Sequence, residues 1–334
     1  MAHGIHNELT GAEMQKILKD YFGNQTEESS RRRLGGGVYN LTYHVVTKAG
    51  EDIVIRIAPT DKSGLFEYER YMMCGEQYYS ELMLANGVPT CRIYKYAPFG
   101  EVIEREYLVM EYIDSLPLNS DEVPKEQHTK LYSQAGGCLK KIHQIKVTGE
   151  NGDKFGWLHK DCEKYFSPTY KPYDKWSDFL CRYRDEIIDK ALEYEVFSET
   201  EMMKFKSIFE PASRFDVITE SKMNHADLWQ PNVLVTEKGG EWNVTAIIDA
   251  DRSVFGDTLW DMSLRWMMTA DFLEGYGGEP EYSKEERYRM AVYKSLFDFS
   301  SACFWKIQYG NEDAVKNERK NALSNFETID KIFD

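Results

Sequence analysis

The stretch that decides the fold reads HADLWQPNVLV and spans residues 225–235. It places three polar side chains, those of His225, Asp227 and Asn232, directly before an apolar run that is typical of a buried strand. An aspartate followed five residues later by an asparagine is common in proteins, and it usually caps a helix or closes a turn. The meaning of this stretch therefore depends on the segments around it.

A second apolar segment, residues 244–248, comes after a Lys-Gly-Gly turn. Asp249 follows it directly. If the two apolar segments pair as an antiparallel hairpin, Asn232 and Asp249 come together at one end of it. An amide oxygen and a carboxylate are hard oxygen ligands that suit Mg²⁺. Asp227, in the loop before the hairpin, could accept a proton from a substrate hydroxyl group. Magnesium and a base are the minimum set for phosphoryl transfer.

The first 113 residues are predicted to form a β-rich unit. A glycine cluster, LGGGVYN at residues 34–40, leads into a β-type run, and glycines let a backbone approach phosphate groups closely. The predicted elements are a helix over residues 11–22, opened by a capping box of Thr10 and Glu13, strands over 53–57 and 106–113, and a helix from about 66 to 85.

After residue 113 the apolar spacing becomes helical. The predicted helices cover residues 131–145, 176–192, 199–209, 259–269 and 284–308. The sequence therefore predicts an α+β fold with two lobes. Residues 1–113 are expected to form a small β-rich N-lobe that binds a nucleotide, and residues 114–334 a larger, mostly helical C-lobe with the catalytic and acceptor-binding residues.

Composition limits the class of protein. The chain has 334 residues with 46 aromatic side chains (7 Trp, 22 Tyr and 17 Phe), enough apolar surface for a folded core. Its net charge of −15 argues against a nucleic-acid partner and favours cationic small molecules. No apolar run reaches the length of a membrane span, the six cysteines form no CxxC pair, and no secretory signal opens the chain. We expect a cytoplasmic protein, monomeric or homodimeric, with no membrane partner.

The sequence resembles the aminoglycoside phosphotransferase and choline kinase-like family, which shares the protein-kinase-like fold. The resemblance covers roughly residues 30–310, and its core is HADLWQPNVLV followed by AIIDADRSVFGDTLWD at 246–261. It implies that Asp227 is the catalytic base and that His225 braces the loop. It also implies that Asn232 and Asp249 bind Mg²⁺.

The resemblance also implies a site for ATP or GTP in the N-lobe. The implied residues are Gly35, Gly36, Gly37 and Asn40 of the glycine-rich loop, Arg56 in place of a kinase lysine, Glu76 on the following helix, and Met110, Glu111 and Ile113 of the hinge. Glu69 and Glu81 compete with Glu76 for the role of the helix glutamate.

The acceptor is the least determined part of this interpretation. An acidic C-lobe favours an aminoglycoside-type polycation, and the expected contacts are Asp251, Asp261, Asp271 and Glu274. The same motifs fit a metabolite kinase acting on choline, ethanolamine, homoserine or a sugar derivative. Trp260, Trp266, Trp305 and Tyr276 could form an aromatic box for a quaternary amine.

Two departures from the family pattern accompany these motifs. Ala226 stands where glycine is more usual, and Ala250 stands where an aromatic residue usually follows the metal aspartate. The HRD arginine and the DFG and APE motifs are absent, which argues against a protein kinase. A non-catalytic, nucleotide-binding pseudokinase is a further alternative, although the intact Asp227, Asn232 and Asp249 argue against it.

Overall fold

An antiparallel sheet of five strands forms the N-terminal part of the chain, in the order β1-β2-β3-β5-β4. Its strands are β1 (Glu28–Leu34), β2 (Leu41–Thr47), β3 (Asp52–Ile57), β4 (Ile93–Ala97) and β5 (Tyr107–Glu111). The computed structural model describes residues 7–23, 26–35, 39–70, 72–147, 152–158 and 171–333.

The two faces of this sheet have different partners. Leu41 and Val45 of β2 pack against the apolar side of helix α1 (Gly11–Phe22), which begins with the predicted capping box. Because side chains alternate along a strand, Val54 and Arg56 of β3 point to the opposite face. That face looks toward the C-lobe and carries the site.

The helix predicted from about residue 66 begins later than expected. Helix α2 spans Met72–Ala85, and a short 3₁₀ turn, Tyr68–Arg70, precedes it. Phe66 and Tyr68 are almost fully buried among aromatic side chains of the C-lobe. Tertiary packing therefore overrides the local helical pattern in this segment.

The C-lobe is mostly helical, as predicted. Its helices are α3 (His128–Ile142), α4 (Trp176–Glu193), α5 (Glu199–Ser207), α6 (Leu259–Leu264), α7 (Ala270–Tyr276), α8 (Lys284–Phe304) and α9 (Glu312–Asp330). Short strands complete it: β6 (Leu116–Pro117), β7 (Lys222–Asn224), β8 (Val233–Lys238), β9 (Glu241–Ile247) and β10 (Val254–Gly256).

Two predicted helices are interrupted. The helix expected over 259–269 stops at Leu264, because Arg265 adopts a left-handed conformation with φ of 55°, and α7 then begins at Ala270. The helix expected over 284–308 passes at Trp305–Tyr309 into a π-helical turn. Helices α7 and α9 were not predicted from the sequence.

Aromatic side chains dominate the C-lobe core. Trp176 and Phe179 stack with ring centroids 5.0 Å apart, and Trp260 meets Trp176 edge-on at 5.7 Å. Within the described ranges, no helix combines the length and the apolar character needed to cross a membrane.

A close contact between two C-lobe helices gives a stability prediction. A Cβ atom added at Gly136 of α3 would lie 1.9 Å from the carbonyl oxygen of Phe272 in α7. We expect Gly136→Ala to lower the free energy of unfolding by about 3 kcal/mol, because the helix backbones would have to separate. Urea unfolding followed by circular dichroism measures this change.

Gly137→Ala is the matched control for this experiment. Its added Cβ would meet only the carbonyl oxygen of Gly275, at 3.7 Å, which is ordinary van der Waals contact. Alanine is the better helix former, so this variant should be more stable than the wild type by about 0.5–1 kcal/mol. Equal unfolding midpoints for the Gly136 and Gly137 variants would contradict the close approach of α3 and α7.

Candidate active site

The predicted hairpin is present, and it brings Asn232 beside the residues that follow β9. Val233 pairs with Ile247, and the backbone N–H of Ile248 donates to the carbonyl oxygen of Asn232 at 2.9 Å. Asp249 is the next residue of the chain. The geometry inferred from the sequence for Asn232 and Asp249 is therefore confirmed.

Asp261 holds the loop that carries Asp227. Its two carboxylate oxygens accept hydrogen bonds from the backbone N–H groups of His225 and Ala226, both at 2.7 Å. Ala226 has a left-handed backbone with φ of 63°, which explains why glycine is usual at this position. His143, at the end of α3, lies 3.0 Å from Asp261 through Nε2. Asp261, expected as an acceptor contact, is thus committed to bracing this loop.

His225 is fully buried and serves as a second brace. Its Nδ1 accepts from the backbone N–H of Asp227 at 3.3 Å, so the protonated Nε2 faces the carbonyl oxygen of Ile248 at 3.1 Å. Burial lowers the pKa of His225. A neutral imidazole with both nitrogen atoms engaged is suited to fixing the loop and not to taking a proton from a substrate.

Asp227 is positioned by Asn232. The side-chain nitrogen of Asn232 donates to the backbone oxygen of Asp227 at 2.8 Å and to its Oδ2 at 3.1 Å. Burial raises the pKa of Asp227 well above its usual range, Asp249 and Asp251 add to the rise, and Arg252 opposes it. A carboxylate with increased proton affinity is a better general base near neutral pH.

Arg56 connects the sheet to the turn after β9. Its Nη1 donates to Glu76 at 2.7 Å and its Nη2 to Asp251 at 2.8 Å, and Nη2 also pairs with Asp249. With its amide oxygen turned toward Arg56, Asn40 accepts from Nη2 and Nε at 2.9 and 3.1 Å. The guanidinium of Arg56 therefore contacts Asn40, Glu76 and Asp249. These were predicted as the asparagine of the glycine-rich loop, the helix glutamate and a metal ligand.

The pairing of Arg56 distinguishes among the three candidate glutamates. Glu76 is buried against Arg56, and burial raises its pKa to about 8 while Arg56 opposes the rise. Glu81 is exposed on α2, and Glu69 points to Arg252 instead. Asp251, expected as an acceptor contact, lies on the Arg56 side of the site, and burial raises its pKa to about 6.

Asn232 and Asp249 have the chemistry of a magnesium site. The amide nitrogen of Asn232 is committed to Asp227, which leaves its oxygen as the atom for a cation. Asp249 adopts a left-handed conformation with φ of 66°, directly after the hairpin. Two protein ligands suffice for Mg²⁺, which keeps waters and substrate phosphates in its shell. Within the described residues, no group of three or more His, Cys, Asp or Glu side chains has metal-binding geometry.

An apolar cluster lies beside these polar residues, where the sheet meets the residue that follows β9. Met110 of the predicted hinge is buried there with Val54, and Leu34, Ile113 and Ile248 pack against them. Apolar side chains of this kind are suited to contact a purine base. Leu34, Val54 and Ile248 were not predicted. The alternation of side chains along β3 could have identified Val54, because it lies two residues before Arg56 on the same face of the sheet.

The structure also gives the places of Glu111 and Gly35, two further residues of the predicted nucleotide site. Glu111 ends β5, and its Oε2 accepts from the backbone N–H of Arg92 at 3.1 Å. Gly35 follows β1 directly. The predicted loop residues Gly36 and Gly37 lie outside the described residues.

The remaining predicted acceptor contacts are on helix α7. Asp271 accepts from the hydroxyl of Thr129 at 3.1 Å, at the N-terminal end of α3. Glu274 lies one turn further along α7, which packs along α3.

The four aromatic residues proposed for an amine box have different neighbours. Trp260 lies in the C-lobe core, Trp266 packs edge-on against Phe297, and Trp305 contacts Tyr309. The hydroxyl of Tyr276 lies 2.8 Å from Nδ1 of His143. The structure does not bring them together as a box.

Two side chains near Asp227 were not predicted as site residues. Arg252 ends the turn after Asp249, and its Nη2 lies 3.6 Å from Oε1 of Glu69. Trp229, two residues after Asp227, is 40% exposed, which is unusual for so large an apolar side chain. Their positions within the motif were the only signal in the sequence.

The model of a family described as the phosphotransferase enzyme family matches residues 30–293 of the chain. A search of curated proteins gave no match. The match contains the glycine-rich loop, Arg56, the hairpin of β8 and β9 and the first half of α8.

Solved structures share the fold over almost the whole chain. A thermostable mutant of the aminoglycoside phosphotransferase APH(4)-Ia is 17% identical, with a TM-score of 0.63, over 94% of this chain and 98% of its own. The same enzyme has been solved in a ternary complex with AMP-PNP and hygromycin B. A Thermobifida fusca protein described as a fructosamine-3-kinase is 15% identical, with a TM-score of 0.65, over 95% and 100% of the two chains. A GDP and kanamycin complex of APH(2")-IIIa is 12% identical, with a TM-score of 0.61, over 96% and 99%.

Proposed function

The chain belongs to the phosphotransferase enzyme family, and on that premise we propose that it moves the γ-phosphoryl group of ATP or GTP to a hydroxyl group of a small molecule. The observation that carries the proposal is the meeting of Asp227, Asn232 and Asp249 at one end of the hairpin. These residues supply a base and two hard oxygen ligands, which is the set that phosphoryl transfer needs. An intact set also argues against a non-catalytic nucleotide-binding role.

Asp227 is the proposed general base. Its Oδ2 accepts from Asn232, which leaves Oδ1 for the acceptor hydroxyl group. The hydroxyl oxygen forms a bond to the γ-phosphorus, the bond from that phosphorus to the β–γ bridging oxygen breaks, and the nucleoside diphosphate leaves. The hydroxyl proton passes to the carboxylate of Asp227.

Asn232 and Asp249 would hold the magnesium ion, which neutralises charge on the nucleotide phosphates when it is bound. Arg56, held by Glu76, can direct its guanidinium to the phosphate oxygens. The apolar cluster around Val54 and Met110 would contact the nucleotide base. The neighbour complexes with AMP-PNP and GDP support a nucleotide donor of either base.

An aminoglycoside-type antibiotic is the first candidate acceptor. The neighbour complexes with hygromycin B and kanamycin support this class, as does the net charge of −15, which favours polycations. Antibiotic resistance would then be the physiological role.

A metabolite, such as a sugar derivative, is the second candidate acceptor. Of the acidic side chains expected to bind a polycation, Asp251 is paired with Arg56 and Asp261 with backbone amides. Arg252 adds a positive charge to the turn that follows Asp249. Both features favour a neutral or anionic acceptor group at this point, and the fructosamine-3-kinase neighbour fits that class.

A panel of acceptors tests these two candidates. The protein would be incubated with Mg²⁺ and ATP or GTP, together with hygromycin B, kanamycin, a fructosyl amine, homoserine or choline. Release of nucleoside diphosphate and the mass of the phosphorylated product are the readouts. We expect one acceptor class to stimulate release and to gain one phosphate. Nucleotide binding without transfer to any of these compounds would contradict both candidate classes.

A further inference from the structure

The segment between β3 and α2 crosses from the N-lobe to the C-lobe. We call residues 62–70 the crossing segment. The ring of Tyr68 stacks on Trp157 with centroids 4.3 Å apart and an interplanar angle of 6°. Glu67 forms an ion pair with Arg182 of α4 at 2.9 Å. The segment therefore has a fixed place against the C-lobe.

Glu69 is the buried acid of this segment. Its side chain is 2% exposed, and its Oε2 accepts from the backbone N–H of Phe66 at 2.9 Å and from Gln308 at 3.1 Å. Its Oε1 faces Nη2 of Arg252 at 3.6 Å. Because both Phe66 and Gln308 donate to Oε2, the orientation of the whole carboxylate is fixed, and with it the position of Oε1.

Arg252, which faces this acid, belongs to the turn after the proposed metal ligand Asp249. It lies three residues after Asp249, and its side chain keeps 28% exposure. The turn that carries Arg252 follows the end of the hairpin at which Asn232 donates to Asp227. A partly exposed guanidinium at this position can meet a phosphoryl group, whereas the buried Glu69 cannot.

The glycine-rich loop is connected to the same acid. The hydroxyl of Tyr39, in the last part of that loop, donates to the backbone oxygen of Glu69 at 2.9 Å. The residue that faces Arg252 is thus fixed by the nucleotide loop, by the crossing segment and by the π-helical turn after α8.

We propose that Glu69 is a positioning residue that holds the guanidinium of Arg252 beside Asp227, where charge develops on the phosphoryl group during transfer. The inference rests on the proposed function, because it assigns a part in that same reaction. A cation that is already oriented costs no reorganisation when the charge appears, and it therefore stabilises the transition state more than the bound substrates. If the side chain of Arg252 were not held in one orientation, it would stabilise the transition state much less.

Glu69→Gln tests this role, because glutamine can still accept from Phe66 and Gln308 but carries no charge to orient Arg252. We expect kcat to fall by roughly 30-fold, with the KM for nucleotide changed less than about threefold, because only a transition-state interaction is weakened. Glu69→Asp, which restores the charge, should recover part of kcat.

Glu67→Gln is the matched control. It removes the neighbouring acid of the same segment and its ion pair with Arg182, but it leaves Arg252 alone. If the crossing segment served only to join the lobes, the two variants would lose kcat and thermal stability alike. Equal losses would overturn the proposal.

A double-mutant cycle with Arg252→Met gives the second test. If Glu69 acts through Arg252, adding Glu69→Gln to Arg252→Met should lower kcat no further than Arg252→Met does alone. Additive losses would show that Glu69 acts by another route.

Crystal structures of the wild type and Glu69→Gln separate this inference from the proposed function. Displacement of Arg252 from Asp227 in the variant supports the positioning role even if no tested acceptor is phosphorylated, in which case the proposed function alone has failed. An unmoved Arg252 overturns the positioning role whatever the activity.

Discussion

Replacing Asp227 by asparagine should lower kcat for phosphoryl transfer by about 10³-fold, because a positioned general base contributes 10²–10⁴-fold. Asparagine has the size of aspartate and cannot take the hydroxyl proton. The hydrogen bond from Asn232 to the backbone oxygen of residue 227 does not involve the carboxylate, so the loop should keep its shape. Turnover with the best acceptor of the panel measures the effect.

Nucleotide affinity and thermal stability should be nearly unchanged in this variant. Burial and the neighbouring Asp249 and Asp251 already disfavour the charge on Asp227, so its removal costs the folded state little. Asp121→Asn, a change at an exposed loop position, is the control for handling and expression. A residual kcat within tenfold of the wild type would mean that another group takes the proton.

The sequence predicted the parts of the site that depend on local pattern. A turn between two apolar segments forces hairpin register, and register alone places Asn232 beside Asp249. The capping box of Thr10 and Glu13 likewise fixed the start of α1 to the residue. In both cases the determining interactions lie within a few residues along the chain.

The parts that were missed depend on contacts between distant segments. Glu76 was predicted from the family resemblance, but the local pattern could not exclude Glu69 and Glu81, because the choice depends on how α2 packs on the sheet. Asp261 was expected at the acceptor and instead holds backbone amides of residues 36 and 35 positions earlier in the chain. The identity of a residue as aspartate does not show whether its carboxylate binds a substrate or the backbone of a loop.

The crossing segment shows the same limit at the level of secondary structure. Its spacing of apolar residues is helical, but Phe66, Tyr68 and Glu69 are buried on the C-lobe in a segment whose only helical part is a short 3₁₀ turn. Local propensity is a weak preference, and burial of large aromatic side chains outweighs it. The ion pair of Glu69 with Arg252 joins positions 183 residues apart, which no local pattern could reveal.

Asp249→Asn should lower kcat by about 10²–10³-fold and raise the Mg²⁺ concentration needed for half-maximal activity, because a metal ion contributes several kcal/mol of charge stabilisation. An amide oxygen is a weaker ligand for Mg²⁺ than a carboxylate. Initial rates over a titration of Mg²⁺ at fixed nucleotide measure both quantities.

Asp251→Asn is the comparison that makes this experiment specific. Asp249 and Asp251 both pair with Arg56, so each substitution removes one carboxylate from the same guanidinium. Effects that arise from the loss of this pairing should therefore appear in both variants. Only Asp249 directly follows the hairpin end that carries Asn232, and only its substitution should shift the Mg²⁺ titration. A shift of equal size in both variants would mean that these aspartates act by holding Arg56, and the metal would then need a different second ligand.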